Sequence, residues 1–541
     1  MFIVVILDDM SPESKENVRE LLETRAARAP EKTFLFSAAD GREWTYDEFD
    51  RVVNRTANLL RASGVSKGDV VSLLLPNSAE YVVAYFACWK IGALAGPVNS
   101  LLKREEIEWV VGNSEAKLML ISNELLTTTF GLKSEPGAVA TGFLSDVPQI
   151  IFDQVSIANK FPDTLDEVDL DTDDDAIIIY TSGTTGKPKG CLLTHENLIA
   201  NARQIADWMS FTQDDRLLTI MPLFHMNAVS VTTMSALYAG GSTVVTPKFS
   251  ASRFWDIIEK YRITSFGSVA TMLSMLLAKY QVPGLNSQDA KSKIQNPKCE
   301  TLRFAMCGSA PVPAEVLKKF EETFGCLVIE GYGLSESTCR STFNPPNENR
   351  RPGSCGKPIG NEMKIFDESD HEASDGELGE IVLRGPNILK GYFKNPAATA
   401  KAFTNGWFHT GDIGYRDADG FFYIADRKSD MIIRAGENIY PREIDDILYT
   451  HPAVAHAAVI GVPDDLYGEE VAAFVVLKEG VETSEEDLIA FCRERLADFK
   501  CPKMVHFVDD IPKGPTGKLL KRELAKLFST PQADRDAKAR A

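Results

Sequence analysis

The stretch Ile177-Ile178-Ile179-Tyr180-Thr181-Ser182-Gly183-Thr184-Thr185-Gly186-Lys187-Pro188-Lys189-Gly190 reads as a strand that delivers its end into a phosphate-binding loop. Its opening is apolar and β-branched, the pattern of a buried strand. The ten residues from Thr181 to Gly190 then bring four hydroxyl side chains, three glycines and two lysines. Glycines let backbone N–H groups turn toward one centre, hydroxyls add donors, and lysines supply compact positive charge that a triphosphate can use. A flexible linker is the competing reading, but linkers seldom interleave lysine and proline after a buried strand. A Walker loop is excluded by counting: the position of its first glycine holds Thr181, and Pro188 stands where Ser or Thr must follow the lysine.

Around this loop lie 541 residues, too many for one core, so at least two domains are expected. A net charge of -19 argues against nucleic-acid partners and anionic membrane surfaces, and requires that any polyphosphate be met by local charge such as Lys187 and Lys189. The nine cysteines form no Cys-x-x-Cys pair, which points to free thiols in a reducing, cytoplasmic compartment and away from structural zinc. The apolar opening Met1–Leu7 meets Asp8-Asp9 too soon for a signal peptide or membrane span and is expected to be a strand or loose arm. The tail 529–541 is expected to be disordered.

From Arg51 to Ser122 helical and strand patterns alternate, which means a parallel sheet faced by helices. Asn77 and Glu80 have the spacing of a capping box for the helix that runs to Lys90. A second α/β run follows, with strands expected at Arg216–Met221, Ser242–Pro247, Ile263–Val269, Thr301–Cys307 and Cys326–Tyr332; ligands of open parallel sheets bind beyond such strand ends. From Gly353 to Arg427, short β-prone pieces broken by turns such as Asp419-Gly420 predict an antiparallel barrel or sheet. A smaller α+β unit begins near Lys428. The expected fold is therefore α/β: a large domain, 1–427, of two parallel α/β subdomains and a β-barrel-like subdomain, then a small α+β domain, 428–541, which the family resemblance given below implies is mobile.

The Thr181–Gly190 loop resembles the signature of the adenylate-forming superfamily, which includes acyl-CoA synthetases, peptide-synthetase adenylation domains and beetle luciferases. Further motifs follow in that family's order. Gly331-Tyr332-Gly333-Leu334-Ser335-Glu336 sets a ring and, after it, a carboxylate, the hard oxygen ligand that magnesium prefers. The resemblance implies that Tyr332 and Gly333 face adenine beside Ser309-Ala310-Pro311, that Ser335 keeps a hydroxyl usual there as threonine, and that Glu336, with Thr181, holds Mg²⁺. It implies that Ser182, Gly183, Thr184, Thr185 and Lys189 take the phosphates. Asp412, after a tight turn in Trp407-Phe408-His409-Thr410-Gly411-Asp412, and Arg427 then meet the ribose hydroxyls. Lys518, in Pro512-Lys513-Gly514-Pro515-Thr516-Gly517-Lys518, is the adenylation lysine, and a charge there can bridge carboxylate and α-phosphate. Ser429 stands at the hinge where relatives carry aspartate or lysine.

On the acyl side the resemblance assigns pocket walls to His225, Met226, Ser230, Cys307 and Gly331; His225, counted with Glu336 and Lys518 among the catalytic residues, is expected to gate the substrate and not to carry a proton. Standing alone, a histidine beside apolar residues is more often structural. Gly436 and Lys500 resemble pantetheine and coenzyme A contacts, although Cys501 stands where some relatives place a base. Peptide-forming relatives usually place an aspartate just after an aromatic here; none follows Phe224, so the resemblance disfavours amino acids, and with 23 residues beyond Lys518 no fused carrier domain is expected. The implied activity is that of an acyl-CoA synthetase of the fatty-acid- or carnitine-type branch: acid plus ATP to acyl-adenylate and pyrophosphate, then acyl-CoA and AMP. Its substrate is a small carboxylic acid of medium aliphatic, aryl or carnitine-like kind, and family members are expected as dimers. Acyl-AMP ligases that load a separate carrier, luciferase-like oxygenases and non-catalytic nucleotide or acyl-CoA sensors are the alternatives.

Overall fold

The computed structural model describes residues 16–132, 139–140, 147–181, 188–280, 300–308, 312–435, 437–464, 466–513 and 521–528. Two compact units form, and neither is continuous in sequence. One comprises Met1–Gly267, Gly333–Arg340 and Gly385–Lys401; the other comprises Ser268–Tyr332, Ser341–Arg384 and Ala402–Ala541.

In the first unit the alternation read from sequence gives the helices Tyr46–Ala62, Ala79–Lys90 and Arg104–Asn113 between the parallel strands Val70–Leu74, Leu94–Pro97 and Leu118–Ile121. These strands belong to an eight-stranded sheet in the order 391–392, 189–194, 175–181, 94–97, 70–74, 118–121, 149–151, 139–140. All twelve residues of Ala79–Lys90 are buried, as expected for a helix with no polar face. Its two buried charges are paired: Glu80 with Arg42 at 2.8 Å, and Lys90 with Asp50 at 2.6 Å and Glu23 at 2.9 Å. The expected capping box is corrected here. Ser78 is the N-cap, accepting from the Tyr81 N–H, while Asn77 donates to the Met221 carbonyl and accepts from the Leu223 N–H, tying the start of this helix to the 221–223 segment. A second parallel sheet runs 265–268, 216–219, 242–245, 33–37, with Glu43–Thr45 antiparallel at its edge.

The strand Asp175–Thr181 lies parallel to 94–97 on one side and antiparallel to Lys189–Thr194 on the other. Thr181 and Lys189, which flank the undescribed residues 182–187, are cross-strand partners.

In the second unit Phe304–Cys307 and Leu327–Tyr332 pair in parallel, with Thr342–Phe343 antiparallel to Gly331-Tyr332. A five-stranded antiparallel sheet holds Glu362–Phe366, Gly379–Arg384, Trp407–Arg416, Phe403–Thr404 and Phe422–Arg427, with Trp407–Arg416 and Phe422–Arg427 forming the hairpin that turns at Asp419-Gly420 as read. The α+β portion after Lys428 packs the helices Pro441–Tyr449 and Glu485–Arg493 on a sheet whose central strand is Gly468–Leu477.

Candidate active site

Strand Asp175–Thr181 carries the Thr181 hydroxyl to Glu336, where it donates to Oε1 at 3.4 Å. The same oxygen accepts from the Tyr392 hydroxyl at 3.2 Å. Burial first, and then the charge of Glu336, push the Tyr392 hydroxyl well above its ordinary pKa, so it remains a donor. The Lys189 ammonium stands 5.0 Å from the centre of the Tyr392 ring, in cation–π range. Loop threonine, loop lysine, tyrosine and carboxylate thereby form one connected group within the first unit.

Glu336 is held by local backbone. It lies in the short 3₁₀ turn Ser335–Ser337, and its carbonyl accepts from the Leu389 N–H at 2.7 Å. The turn ends at Thr338, a β-branched residue at φ +64°, held there by a 2.7 Å bond from its hydroxyl to the Asn387 carbonyl. Gly333 lies so near the returning chain that a Cβ would fall 2.0 Å from the Cys339 carbonyl oxygen. Nearby Cys191 is buried, which raises its thiol pKa far above the usual range and removes it as a nucleophile.

In the second unit Asp412 and Arg427 are cross-strand neighbours, and Arg427 Nε lies 3.2 Å from Asp412 Oδ1. The Tyr332 hydroxyl donates to Asp412 Oδ2 at 2.6 Å, and the Asp412 N–H donates to Thr410 Oγ1 at 3.0 Å. A carboxylate offers about four acceptor positions, so Asp412 retains capacity for a diol. Cys307 is buried at its strand end, and Gly331 is bare for a packing reason: a Cβ would meet the Phe343 ring at 2.4 Å and the Thr342 carbonyl at 2.6 Å.

Lys500, read as a coenzyme A contact, is paired with Glu443 at 2.7 Å. Ser429 sits in the turn between Phe422–Arg427 and Ile432–Arg434 and donates to Asp430 at 2.9 Å. Ser182 to Thr185, Ser309 to Pro311, Gly436 and Lys518, like the opening arm and the tail, lie outside the described residues. Close after Lys518, Lys521 is ion-paired with Asp445 at 2.9 Å; burial alone would lower its pKa, but the attraction of Asp445 prevails and raises it.

His225 follows the strand Arg216–Thr219 by a short turn. Its Nε2 is buried without a hydrogen-bond partner among the described residues, and burial lowers its pKa to about 4, so the ring is neutral near pH 7. Met226 and Ser230 are buried beside it, the latter inside an eight-residue π-helix, Asn227–Met234.

No group of three or more His, Cys, Asp or Glu side chains able to hold a metal occurs among the described residues. One carboxylate with neighbouring hydroxyls nevertheless suits magnesium, which takes one or two protein carboxylates and completes its shell with phosphate and water. Sequence reasoning missed Tyr392, which enters the group from a strand 56 residues beyond Glu336.

The Thr181–Glu336–Tyr392 group of the first unit and the Asp412–Arg427 pair of the second are each of a kind that an adenylate-forming ligase could use. The chain belongs to the AMP-binding enzyme family: that family's profile matches residues 22–393, and its C-terminal domain profile matches 443–518. It is 35% identical to the oxalate-CoA ligase of Arabidopsis thaliana, over 94% of this chain and 98% of that one. It is 34% identical to the long-chain-fatty-acid-CoA ligase of Bacillus subtilis, over 95% of each chain. The structure resembles ATP-bound MatB from Rhodopseudomonas palustris with a TM-score of 0.84 and 30% identity, covering 95% of this chain and 99% of that one. The chain is accordingly an ATP-dependent carboxylic acid:CoA ligase, forming an acyl-adenylate and then an acyl-CoA.

Proposed function

We propose that Thr181, Glu336 and Lys189 serve the triphosphate side of the first half-reaction, with Glu336 holding Mg²⁺ and the residues Ser182 to Thr185 adding donors. The observation that carries this reading is the convergence of Thr181 and Tyr392 on one oxygen of Glu336. The metal, when bound, neutralises phosphate charge. Asp412 and Arg427 take the ribose, while Tyr332, Gly333, Ser335 and the 309–311 segment face the base. Lys518 assists as the substrate carboxylate attacks the α-phosphorus and pyrophosphate leaves. The portion 428–541 then turns about Ser429, withdrawing Lys518 and presenting Gly436 and Lys500 to coenzyme A; its thiol attacks the acyl carbonyl and AMP leaves.

The acid is a small-molecule carboxylate received by the 225–230 segment with Cys307 and Gly331. The names oxalate and long-chain fatty acid among its relatives span too wide a range to select it. All eight described cysteines are buried and free, which fits a cytoplasmic setting; no helix among the described residues is long and apolar enough to cross a membrane. The dimer implied by the resemblance is part of the same reading and is read out by light scattering.

The test separates the half-reactions. Lys518→Ala is expected to slow pyrophosphate release by about a hundredfold or more, while preformed acyl-adenylate is still converted by coenzyme A. Unchanged pyrophosphate release would sink the role of Lys518, and AMP release indifferent to coenzyme A would favour a carrier protein as acceptor.

A further inference from the structure

The segment from His225 to Ser235 treats its polar groups in two ways. Thr232 and Thr233 both donate to the Ala228 carbonyl, at 3.1 and 2.9 Å, and Thr232 also bonds Thr219 at 2.7 Å. Ser235 donates to the Val231 carbonyl. Against this, His225 Nε2, both amide atoms of Asn227 and Ser230 Oγ are buried and have no partner among the described residues. Asn227 is 5% exposed and Ser230 fully buried. Buried polar atoms are hydrogen-bonded in the great majority of cases, and four orphans on three nearby residues need a reason.

The backbone supplies a second, independent observation. Residues 227–234 form a π-helix, seen in the Ser235 N–H donating to the Ser230 carbonyl five residues back. Such wide turns are rare and recur at functional sites. Gly267, at the end of a neighbouring strand, leaves room for Asn227: a Cβ there would come within 2.8 Å of Asn227 Oδ1. The fold thus makes space for an amide that no described residue satisfies.

Resting on the reading that this segment lines the acyl pocket, we propose that the substrate is a carboxylic acid whose acyl chain carries an uncharged hydrogen-bonding group, a hydroxyl or a carbonyl, received by His225, Asn227 and Ser230. A hydrocarbon chain would leave all four atoms orphaned. A second carboxylate would bring a buried charge to a set with no cation: His225 is neutral, and Asn227 and Ser230 carry no charge. A site built to bond a polar substituent rejects analogues lacking it far more strongly than an apolar pocket rejects an added methylene.

The experiment measures pyrophosphate release by the full chain with matched acids: butanoate against 3- and 4-hydroxybutanoate, pentanoate against 4-oxopentanoate, and hexanoate against adipate. At least one hydroxy or oxo acid is expected to exceed its hydrocarbon partner in kcat/KM by about a hundredfold, and to exceed adipate. Asn227→Leu and the milder Ser230→Ala, each checked for an unaltered melting temperature, are expected to cut that preference about tenfold with the KM for ATP unchanged. A preference for hydrocarbon acids or for the diacid, or no release with any acid, overturns the proposal. If the variants shift acid KM yet hydrocarbons are preferred, the pocket reading survives and the polar class falls. If a polar preference is seen and neither variant alters it or the acid KM, the pocket reading itself has failed and the proposal with it.

Discussion

At the scale of single residues, the order of the motifs singled out Glu336, to whose carboxylate the structure brings Thr181 and Tyr392, whereas Tyr392 itself could not be read. Gly391-Tyr392 reads as two strand residues, and only its antiparallel pairing with Cys191 and Leu192 brings the hydroxyl to the carboxylate. The bond to Glu336 is charge-assisted and fixes where that carboxylate points. Tyr392→Phe removes the hydroxyl but keeps the ring beneath Lys189, so the variant isolates one hydrogen bond. The expected result is a roughly tenfold rise in the Mg²⁺ concentration needed for tight binding of a non-hydrolysable ATP analogue, on the order of 1.5 kcal/mol. Calorimetric titration at several Mg²⁺ concentrations checks it, and an unchanged requirement would detach Tyr392 from the proposed metal site.

At the scale of elements, the alternation of helix and strand was readable because each period is local, and the strands of both parallel runs fall where the pattern places them. What was not readable depends on partners distant in sequence. Asn77 and Ser78 are both good caps; Met221 and Leu223 claim Asn77, leaving the cap to Ser78. The π-helix at 227–234 was equally hidden, since its residues mix helical and strand preferences and only the i, i+5 bonds reveal it. The glycine before the Glu336 turn was singled out for its place beside adenine, but the structure adds a steric reason. Gly333→Ala would press a methyl onto the Cys339 carbonyl at 2.0 Å, and backbone cannot yield there without moving the turn. The variant should lose adenylation by about a hundredfold or more and melt several degrees lower, a cost of about 2 kcal/mol or greater. Pyrophosphate release and a thermal melt report both; a variant with wild-type turnover would show that the turn tolerates displacement.

At the scale of the whole molecule, the order of motifs along the chain was open to reading, but the division into units was not: residues 333–340 and 385–401 join the first unit from beyond the start of the second. Within the first unit, His195 links segments distant in sequence and is a sensor of acid. Fully buried at the start of the helix His195–Met209, it accepts at Nδ1 from the Val18 N–H at 3.3 Å, while Nε2 has no partner among the described residues. Burial lowers its pKa from 6.5 to about 4. The unfolded chain therefore takes up the proton first as pH falls, so the stability contributed by neutral His195 is complete above pH 6.5 and is lost between 6.5 and 4. The loss amounts to about 3 kcal/mol, with His225 acting in the same direction. Urea midpoints measured from pH 7.5 down to 4.5 should fall steeply in this window, and His195→Gln, which keeps an acceptor for Val18 without a titrating ring, should flatten much of the slope. An equally steep fall in the variant would move the acid sensitivity to the carboxylates and away from the helix that His195 joins to Val18.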